Sequence, residues 1–366
     1  MIDNQQRADT RRKLLERVRA QGPSANTPDL VETSHIEADH AGPIEFRPKV
    51  AGVDLAKWAT ENRDAIEANL MRRGAILFRG FGMASSDAFE AFARIFSTAL
   101  FTENGEHPRE SLGGSVHTPV FFPPERKLLW HNENTFDRTW PGTIWFCSIR
   151  PADEGGEMSL VDSRQVFDRV PARTRARFLE TGVMYVRNYN VGLGRTWQNV
   201  FSTDSKAEVE RQCIARGMSF EWREGDRLRT SCVRPAAILH PKTGEPAWTN
   251  QAQHWHPACL DEKTRQSMAL LFAADVLPRS CFYGDGSPIE DATIQEIVQV
   301  YAELERCVAW QAGDVLMVDN ILTAHGRQPF KGQRKHFVVA GNMTSYDDVE
   351  RPESPARAEY EPLPRS

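Results

Sequence analysis

The sequence of 366 residues has no run of about 20 consecutive apolar residues, the length that a helix needs to cross a bilayer. Its first twenty residues, MIDNQQRADTRRKLLERVRA, are polar and basic and lack the apolar core of a secretory signal peptide. Lys and Arg (45) do not outnumber Asp and Glu (50), so no broad basic field is available to bind nucleic acid. We therefore expect a cytoplasmic protein that binds neither membranes nor nucleic acids.

Cysteine is also scarce, and no two of the six cysteines form a CxxC pair. Without a secretion signal, this scattered pattern argues against a disulfide framework and against a zinc site built from thiolates. We expect the cysteines to be reduced and mostly buried. They are Cys147, Cys213, Cys232, Cys259, Cys281 and Cys307.

Polar segments at both ends of the chain indicate the domain organisation. Residues 7–22, RADTRRKLLERVRAQG, have the spacing of a short amphipathic helix, and residues 23–48 are typical of an extended polar arm. The last segment, 347–366, is rich in proline and charge, as in a flexible tail. We predict an N-terminal helix and arm (1–48), a single domain (49–346) and a C-terminal tail (347–366).

Hydrophobic periodicity predicts a mainly β domain with flanking helices, an α+β fold. Helical spacing covers residues 54–73 and stops at Gly74, and a second helix begins with a cap at Ser85. Many short strand-like segments follow, and the last two are GDVLMVDN and RKHFVVAGNM. This pattern favours a β-sandwich or barrel with a ligand cavity at its mouth. The long Gly- and Pro-rich loop at 102–127 is predicted to form a wall or lid of that cavity.

The stretch LLWHNENTF, residues 128–136, places a histidine and a glutamate two positions apart at a predicted strand end. Side chains at i and i+2 of an extended segment share a face, so His131 and Glu133 converge while Asn132 points away. An imidazole and a carboxylate that converge make half of a site for a divalent metal. The alternative interpretation is a hydrogen-bonded His–Glu pair on the surface.

A third metal-binding side chain is predicted after the strong strand GDVLMVDN, where His325 follows in the segment ILTAHGR. Together with His131 and Glu133 it gives two imidazoles and one carboxylate, the facial triad of non-haem Fe(II) oxygenases. Arg334 opens the next strand and suits the binding of a carboxylate, because its planar fork binds one bidentately. A surface salt bridge is the alternative role for this arginine.

The remaining histidines are expected to be structural or exposed to solvent. His254 and His256, in QHWHPACL, form the only rival pair at i and i+2, but no acidic residue lies near them in the sequence. His336 lies inside the last predicted strand, where a structural role is the default expectation.

These residues lie within longer motifs: LLWHNENTF, WPGTIWFCSIRPADEGGE, HPKTGEPAW and GDVLMVDNILTAHGR. With them the chain resembles the taurine dioxygenase/clavaminate synthase-like superfamily of Fe(II)- and 2-oxoglutarate-dependent oxygenases. Within that superfamily it is most similar in pattern to the amino-acid hydroxylases of nonribosomal-peptide pathways, such as the syringomycin-type aspartyl hydroxylase. The similarity covers residues 73–343, nearly the whole predicted domain.

The resemblance implies a double-stranded β-helix (jelly-roll) core and assigns roles to four residues. His131, Glu133 and His325 become iron ligands, and Arg334 binds the distal carboxylate of the cosubstrate, 2-oxoglutarate. Members of the family normally carry a threonine after the Gly-Gly-acid run, and its hydroxyl assists that arginine. Here Met158 holds the position, and Ser159, the next residue, lies on the opposite face of a regular strand. We therefore expect weaker binding of the cosubstrate.

The resemblance also implies a reaction. We expect hydroxylation of an unactivated C–H bond in an amino acid or an amino-acid-derived small molecule of secondary metabolism. The reaction consumes O2 and 2-oxoglutarate and releases succinate and CO2. Desaturation and epoxidation use the same ligands and stay open, as do presentation of the substrate on a peptidyl carrier protein and homo-oligomerisation. A zinc hydrolase and a non-catalytic jelly-roll binding module are the alternatives from other functional classes.

Several polar residues near the predicted mouth of the cavity are candidates for contact with the substrate. Each of them has capping of a loop or hydrogen bonding at a strand end as its alternative role. The candidates are Arg109, Thr118, Asn188, Asn250, Gln251 and Arg327.

Overall fold

The structure is a computed structural model that describes residues 30–36, 42–101 and 110–353. The predicted helix at 7–22 and residues 354–366 of the predicted tail lie outside these ranges. The strands are β1 (Val31–His35), β2 (Ile44–Pro48), β3 (Ala75–Phe78), β4 (Leu100–Phe101), β5 (Leu128–His131), β6 (Thr139–Arg150), β7 (Glu154–Gly155), β8 (Met158–Asp162), β9 (Val183–Tyr189), β10 (Ser219–Arg223), β11 (Arg227–Arg234), β12 (Ala237–Leu239), β13 (Pro246–Trp248), β14 (Arg279–Tyr283), β15 (Arg306–Val308), β16 (Asp314–Asp319), β17 (Thr323–Arg327), β18 (Phe330–Lys331) and β19 (Lys335–Ser345).

Helices alternate with these strands along the chain. They are α1 (Leu55–Glu61), α2 (Arg63–Arg73), α3 (Ser86–Phe96), α4 (Ser163–Arg169), α5 (Ala172–Thr181), α6 (Trp197–Phe201), α7 (Lys206–Ala215), α8 (Ala252–Trp255), α9 (Glu262–Leu271) and α10 (Asp291–Leu304), with short 3-10 helices at Pro257–Cys259 and Ala274–Val276. Within the described ranges, no helix combines the length and the apolar character that crossing a bilayer requires.

Two sheets form the core of the molecule. The larger has the strand order β1-β2-β3-β16-β6-β19-β4, and the smaller has the order β15-β8-β17-β5. Their inner faces pack against each other through apolar side chains of both sheets, for example Phe146 and Leu316 from the larger and Met158 and Leu160 from the smaller. This arrangement confirms the predicted jelly-roll core, a mainly β fold with flanking helices.

Helices α1, α2 and α3 cover the outer face of the larger sheet, where Phe89 and Phe92 pack with Phe78 and Trp145. The sequence predicted one helix over residues 54–73, but the structure breaks it at Asn62. The Asn62 side chain donates to the carbonyl oxygen of Trp58, and this local bond competes with continuation of the helix. Gly74 ends α2 with a φ of 74°, the left-handed conformation that favours glycine.

The sheet includes residues that the sequence analysis assigned to the polar arm. Strand β2 pairs in parallel with β3, so the sheet begins before the predicted boundary at residue 48. Ile44 and Phe46 are buried in it, and Glu45 pairs with Arg79. Arg79 also binds Asp314 on β16. Apolar residues alternating over only five positions in a polar segment gave too weak a strand pattern to be recognised.

All six cysteines are free thiols, as predicted from their spacing. Four of them are buried, Cys259 is partly buried, and Cys307 is exposed. Burial raises the pKa of Cys232 to about 11, so this thiol stays protonated near neutral pH.

Candidate metal centre

Two histidines meet where β17 lies between β8 and β5 in the smaller sheet. His325 on β17 is the direct antiparallel partner of His131 on β5, and their ring centroids are 4.6 Å apart. The strand pairing is irregular just beyond His325. A Cβ on Gly326 would lie 2.5 Å from the carbonyl oxygen of Leu128, so the close approach of the strands at this point requires glycine.

Glu133 reaches the histidines from the turn that follows β5. The side chain of Asn320, at the end of β16, accepts a hydrogen bond from the Glu133 N–H (2.7 Å) and donates one to the Glu133 carbonyl oxygen (3.0 Å). The same amide donates to the carbonyl oxygen of Pro141 (2.7 Å). Asn132 points away from the centre, as predicted, and donates to the Asn320 carbonyl oxygen. Two loops are thus held together by amide hydrogen bonds that fix the backbone of Glu133.

The three side chains converge on one point. One ligand atom from each of His131, Glu133 and His325 lies within 4.8 Å of the others. Glu133 Oε2 is 3.5 Å from His131 Nε2 and 3.9 Å from His325 Nε2. His131 Nδ1 lies 2.9 Å from the carbonyl oxygen of Leu129, to which it donates, so Nε2 keeps its lone pair for a metal. The donor set fits a divalent transition metal that keeps open coordination positions.

The convergent triad lines a cavity of about 670 Å³, a volume typical of small-molecule sites. Residues 118–122 of the long loop form part of its wall, as predicted for this loop. Apolar side chains that line the cavity include Ile144, Phe146 and Val338. The metal centre therefore lies in a largely apolar chamber rather than at an exposed strand end.

Arg334 lies immediately before β19 and lines the same cavity. It donates to Nδ1 of His336 (3.1 Å), and no described residue accepts a hydrogen bond from its buried Nε. Burial, with a smaller contribution from Arg327, lowers the pKa of Arg334 to about 10, so the group stays charged at neutral pH. Burial also lowers the pKa of His336 to about 2, which keeps its Nδ1 free to accept. No carboxylate in the described part of the chain forms an ion pair with Arg334.

Met158 and Ser159 lie on opposite faces of β8. Met158 is the partner of Arg327 on β17 and lines the cavity. Ser159 is fully buried on the other face, where its hydroxyl accepts a hydrogen bond from Gln328 (2.9 Å). The serine hydroxyl therefore does not reach the cavity, and Met158 has no hydroxyl with which to replace the threonine of relatives.

The predicted substrate residues fall into three groups. Thr118, Gln251 and Arg327 line the cavity, and Arg109 lies outside the described residues. Asn188 and Asn250 are placed differently from the prediction. Asn188 donates to the carbonyl oxygens of Asp275 and Leu277, and Asn250 donates to that of Ala236. Both amides are used to fix backbone turns, the alternative role considered for them.

Three residues that line the cavity were assigned other roles or were not singled out in the sequence. His254 has its ring 5.0 Å from that of His131, and His336 binds Arg334. Arg279 opens strand β14 and lines the same cavity. In each case the available signal in the sequence was a polar residue within or beside a predicted buried element. Such a residue can be assigned to the cavity only when the fold is known.

Comparison with known proteins agrees with this geometry. The family described as "Taurine catabolism dioxygenase TauD, TfdA family" matches residues 37–340. The chain belongs to this family. It is an enzyme of the 2-oxoglutarate-dependent dioxygenase class, and the zinc-hydrolase and binding-module alternatives are set aside.

Relatives and solved structures extend the comparison. The dapdiamide synthesis protein DdaC of Enterobacter agglomerans is 34% identical over 270 residues, which cover 74% of this chain and 82% of DdaC. A clavaminate synthase-like protein of Arabidopsis thaliana is 29% identical with the same coverage. A taurine dioxygenase structure from Burkholderia xenovorans has a TM-score of 0.50 and 15% identity, covering 90% of this chain and 97% of that one. The structural likeness shows the shared fold.

We predict that Asn320→Leu weakens divalent-metal binding as well as the fold. Leucine is similar in size, but it leaves the Glu133 N–H and two buried carbonyl oxygens without their partner, at a cost of about 2–4 kcal/mol in the free energy of unfolding. A less firmly held Glu133 should lower metal affinity by about ten- to a hundredfold.

Denaturant unfolding and Co(II) titration against a chelator measure the two effects separately. Asn69→Leu on the exposed side of α2 is the matched control and should change neither quantity. A destabilised Asn320→Leu protein with unchanged metal affinity would show that Asn320 serves the fold alone.

Proposed function

We propose that this chain is an Fe(II)- and 2-oxoglutarate-dependent dioxygenase that hydroxylates an unactivated C–H bond of an amino acid or amino-acid-derived small molecule. The observation that carries the proposal is that the convergent His131–Glu133–His325 triad and a partly buried arginine, Arg334, line one cavity. The triad suits a metal with open coordination positions, and Arg334 suits a carboxylate-bearing cosubstrate.

His131, Glu133 and His325 would hold the Fe(II). The metal with 2-oxoglutarate supplies the oxygen activation, and the cosubstrate leaves as succinate and CO2. The protein's part is to hold the three donors. The Leu129 carbonyl oxygen fixes the His131 ring, and Phe146 packs at 5.2 Å from the His325 ring. The Glu133 ligand distinguishes this centre from those of halogenating relatives, in which a small residue makes room for chloride.

Arg334 would bind the distal carboxylate of 2-oxoglutarate. Its Nε has no hydrogen-bond acceptor among the described residues, and its Nη2 is oriented by the neutral imidazole of His336. A buried guanidinium without a carboxylate partner is costly, and a bound dianion relieves that cost. Arg327 contributes positive charge to the same wall, although its Nη2 is already bonded to the carbonyl oxygens of Pro123 and Arg126.

The apolar lining would position the substrate and exclude water. Ile144, Phe146 and Val338 on the larger sheet present hydrocarbon surface beside the metal donors. A C–H bond makes no directional hydrogen bonds, so such a surface selects it by shape. The name of the relative DdaC, a dapdiamide synthesis protein, supports a role in biosynthesis. Presentation on a carrier protein and the cytoplasmic location remain part of the proposal.

We predict that Arg334→Leu raises the 2-oxoglutarate concentration needed for succinate formation by about 30-fold or more. Truncating one partner of a buried charge pair costs about 2–5 kcal/mol. Fe(II) affinity should change much less, because Arg334 is not one of the three donors. Arg150→Leu, on the neighbouring strand β6 and exposed, is the control. An unchanged 2-oxoglutarate requirement would assign the role to Arg327 instead.

Met158→Thr should tighten the binding of 2-oxoglutarate. A thioether donates no hydrogen bond, whereas a threonine hydroxyl at this position can donate to a carboxylate, a gain of about 1.5–3 kcal/mol or about ten- to a hundredfold in affinity. Anaerobic titration of the protein–Fe(II) complex with 2-oxoglutarate measures the change. Met158→Val, which has a similar shape without the hydroxyl, separates the hydrogen bond from the loss of volume. Equal binding by the threonine and valine variants would contradict the prediction.

A further inference from the structure

A second pair of arginines lies in a third sheet, which has the strand order β10-β11-β9-β14. Arg279 opens β14, and its direct antiparallel partner is Arg187 on β9. Direct partners in antiparallel strands point to the same face, so the two cationic side chains are neighbours. Arg279 lines the cavity.

The ring of Trp255 lies beside this arginine pair, and the preceding residue, His254, lies beside the candidate metal centre. The guanidinium carbon of Arg279 lies 5.3 Å from the ring centroid of Trp255, and that of Arg187 lies 6.0 Å from it. Trp255 is buried and follows His254, whose ring is 5.0 Å from that of His131. Consecutive residues of α8 therefore contact the arginine pair on one side and the metal centre on the other.

Arg279 has no counterion in the part of the chain that the structure describes. No hydrogen bond or ion pair joins its guanidinium to another described residue, and its contact with Trp255 is a cation–π interaction. Burial lowers the pKa of Arg279, and burial together with repulsion from Arg279 lowers the pKa of Arg187. Arginine nevertheless stays protonated, so the partly buried positive charge of Arg279 lines the cavity without a carboxylate to balance it.

The backbone before Arg279 is fixed. Asn188 donates to the carbonyl oxygens of Asp275 and Leu277, and Arg229 donates to that of Asp275 (2.6 Å). The Asn188 N–H also donates to the Pro278 carbonyl oxygen. A charged side chain that is costly to bury is thus held at a defined position, as expected for a residue that recognises a ligand.

We propose that Arg279, with the positive charge of Arg187 behind it, binds a carboxylate of the substrate and selects carboxylate-bearing molecules. The inference rests on the proposed function, because it assumes that the carbon to be oxidised lies at the metal centre. Arg334, which we propose to bind the cosubstrate, immediately precedes β19 of the larger sheet, so the two candidate anion sites of the cavity come from different sheets. The aromatic rings of Trp255 and Phe136, which are 5.1 Å apart, line the same cavity and suit an uncharged carbon skeleton.

The test is calorimetric titration of wild-type protein and three variants with defined probes. The probes are the proteinogenic L-amino acids, the carboxamide of each, and the pantetheine thioester of each. Arg279→Leu removes the charge, and Arg279→Lys keeps the charge without the planar guanidinium group. Arg227→Leu, on strand β11 of the same sheet, is the control. Titrations use both metal-free protein and protein loaded anaerobically with Fe(II) and 2-oxoglutarate.

We expect at least one carboxylate probe to bind wild type and the Arg227→Leu control, and to bind Arg279→Leu about ten- to a hundredfold more weakly. Arg279→Lys should fall between them. The probe in which an amide replaces the recognised carboxylate should bind weakly to all four proteins; it is the α-carboxamide for an α-carboxylate, and asparagine or glutamine for an acidic side chain. If the thioester of an acidic amino acid keeps the Arg279-dependent affinity, the carboxylate is a side chain on a carrier-bound substrate. If forming the thioester abolishes binding, it is the α-carboxylate of a free amino acid.

Three results would overturn the inference: no carboxylate probe binds wild type, every probe binds wild type and Arg279→Leu equally, or Arg279→Leu raises the 2-oxoglutarate requirement as Arg334→Leu does. Thermal unfolding of Arg279→Leu should occur at or above the wild-type temperature, because an unbalanced charge has been removed. A markedly lower unfolding temperature with unchanged probe binding would assign Arg279 a structural role. Carboxylate binding to metal-free protein does not require the proposed reaction, so its failure and that of the proposed function are distinguishable.

Discussion

The convergence of one carboxylate and two imidazoles in a buried place is the constraint on which the rest of the molecule depends. Glu133 lies within 4 Å of both histidines, and such a donor set is stable when a divalent cation occupies its centre. The required positions come from two neighbouring strands and one turn. Strand β17 places His325 opposite His131, and Asn320 holds the turn that carries Glu133.

The side chains that line the cavity carry charges of both signs. The carboxylate of Glu133 lies with the two imidazoles, whereas Arg334 and Arg279 add positive charge to the lining of the cavity. Neither arginine forms an ion pair with a described carboxylate. Unbalanced charges of one sign in an apolar chamber lower the stability of the empty protein and raise its affinity for anions. These charges favour anionic ligands in the cavity, in agreement with the roles that we propose for Arg334 and Arg279.

The sequence predicted the metal donors because local spacing and chain order carried the information. His131 and Glu133 are two residues apart, and His325 follows a predicted strand with a continuous apolar run, GDVLMVDN. The role of the long loop was predicted from its length and composition, whereas the jelly-roll core was implied by the resemblance to the family. Asn320 and Arg279 were not recognised as site residues, because their neighbours are distant in the chain. Asn320 holds Glu133, 187 residues earlier, and Arg279 pairs across strands with Arg187, 92 residues earlier (279 − 187). A polar residue beside an apolar run has no distinguishing local pattern.

Two other differences between the predicted and the observed structure have local physical causes. The helix predicted over residues 54–73 is divided at Asn62, whose side chain bonds the preceding turn. The strand β2 was assigned to a polar arm because it is short and flanked by charge, but its buried Ile44 and Phe46 complete the larger sheet. Asn188 and Asn250, predicted to contact the substrate, instead fix turns around the cavity.

The central claim is that His131, Glu133 and His325 bind Fe(II) with positions left for 2-oxoglutarate. The most direct measurement is anaerobic addition of Fe(II) and then 2-oxoglutarate, followed by visible absorption. We expect a weak charge-transfer band that saturates at one Fe(II) per chain and is lost in Glu133→Ala, while Glu154→Ala on the exposed strand β7 keeps it. Absence of the band in the wild-type protein, or its full retention in Glu133→Ala, would contradict the account.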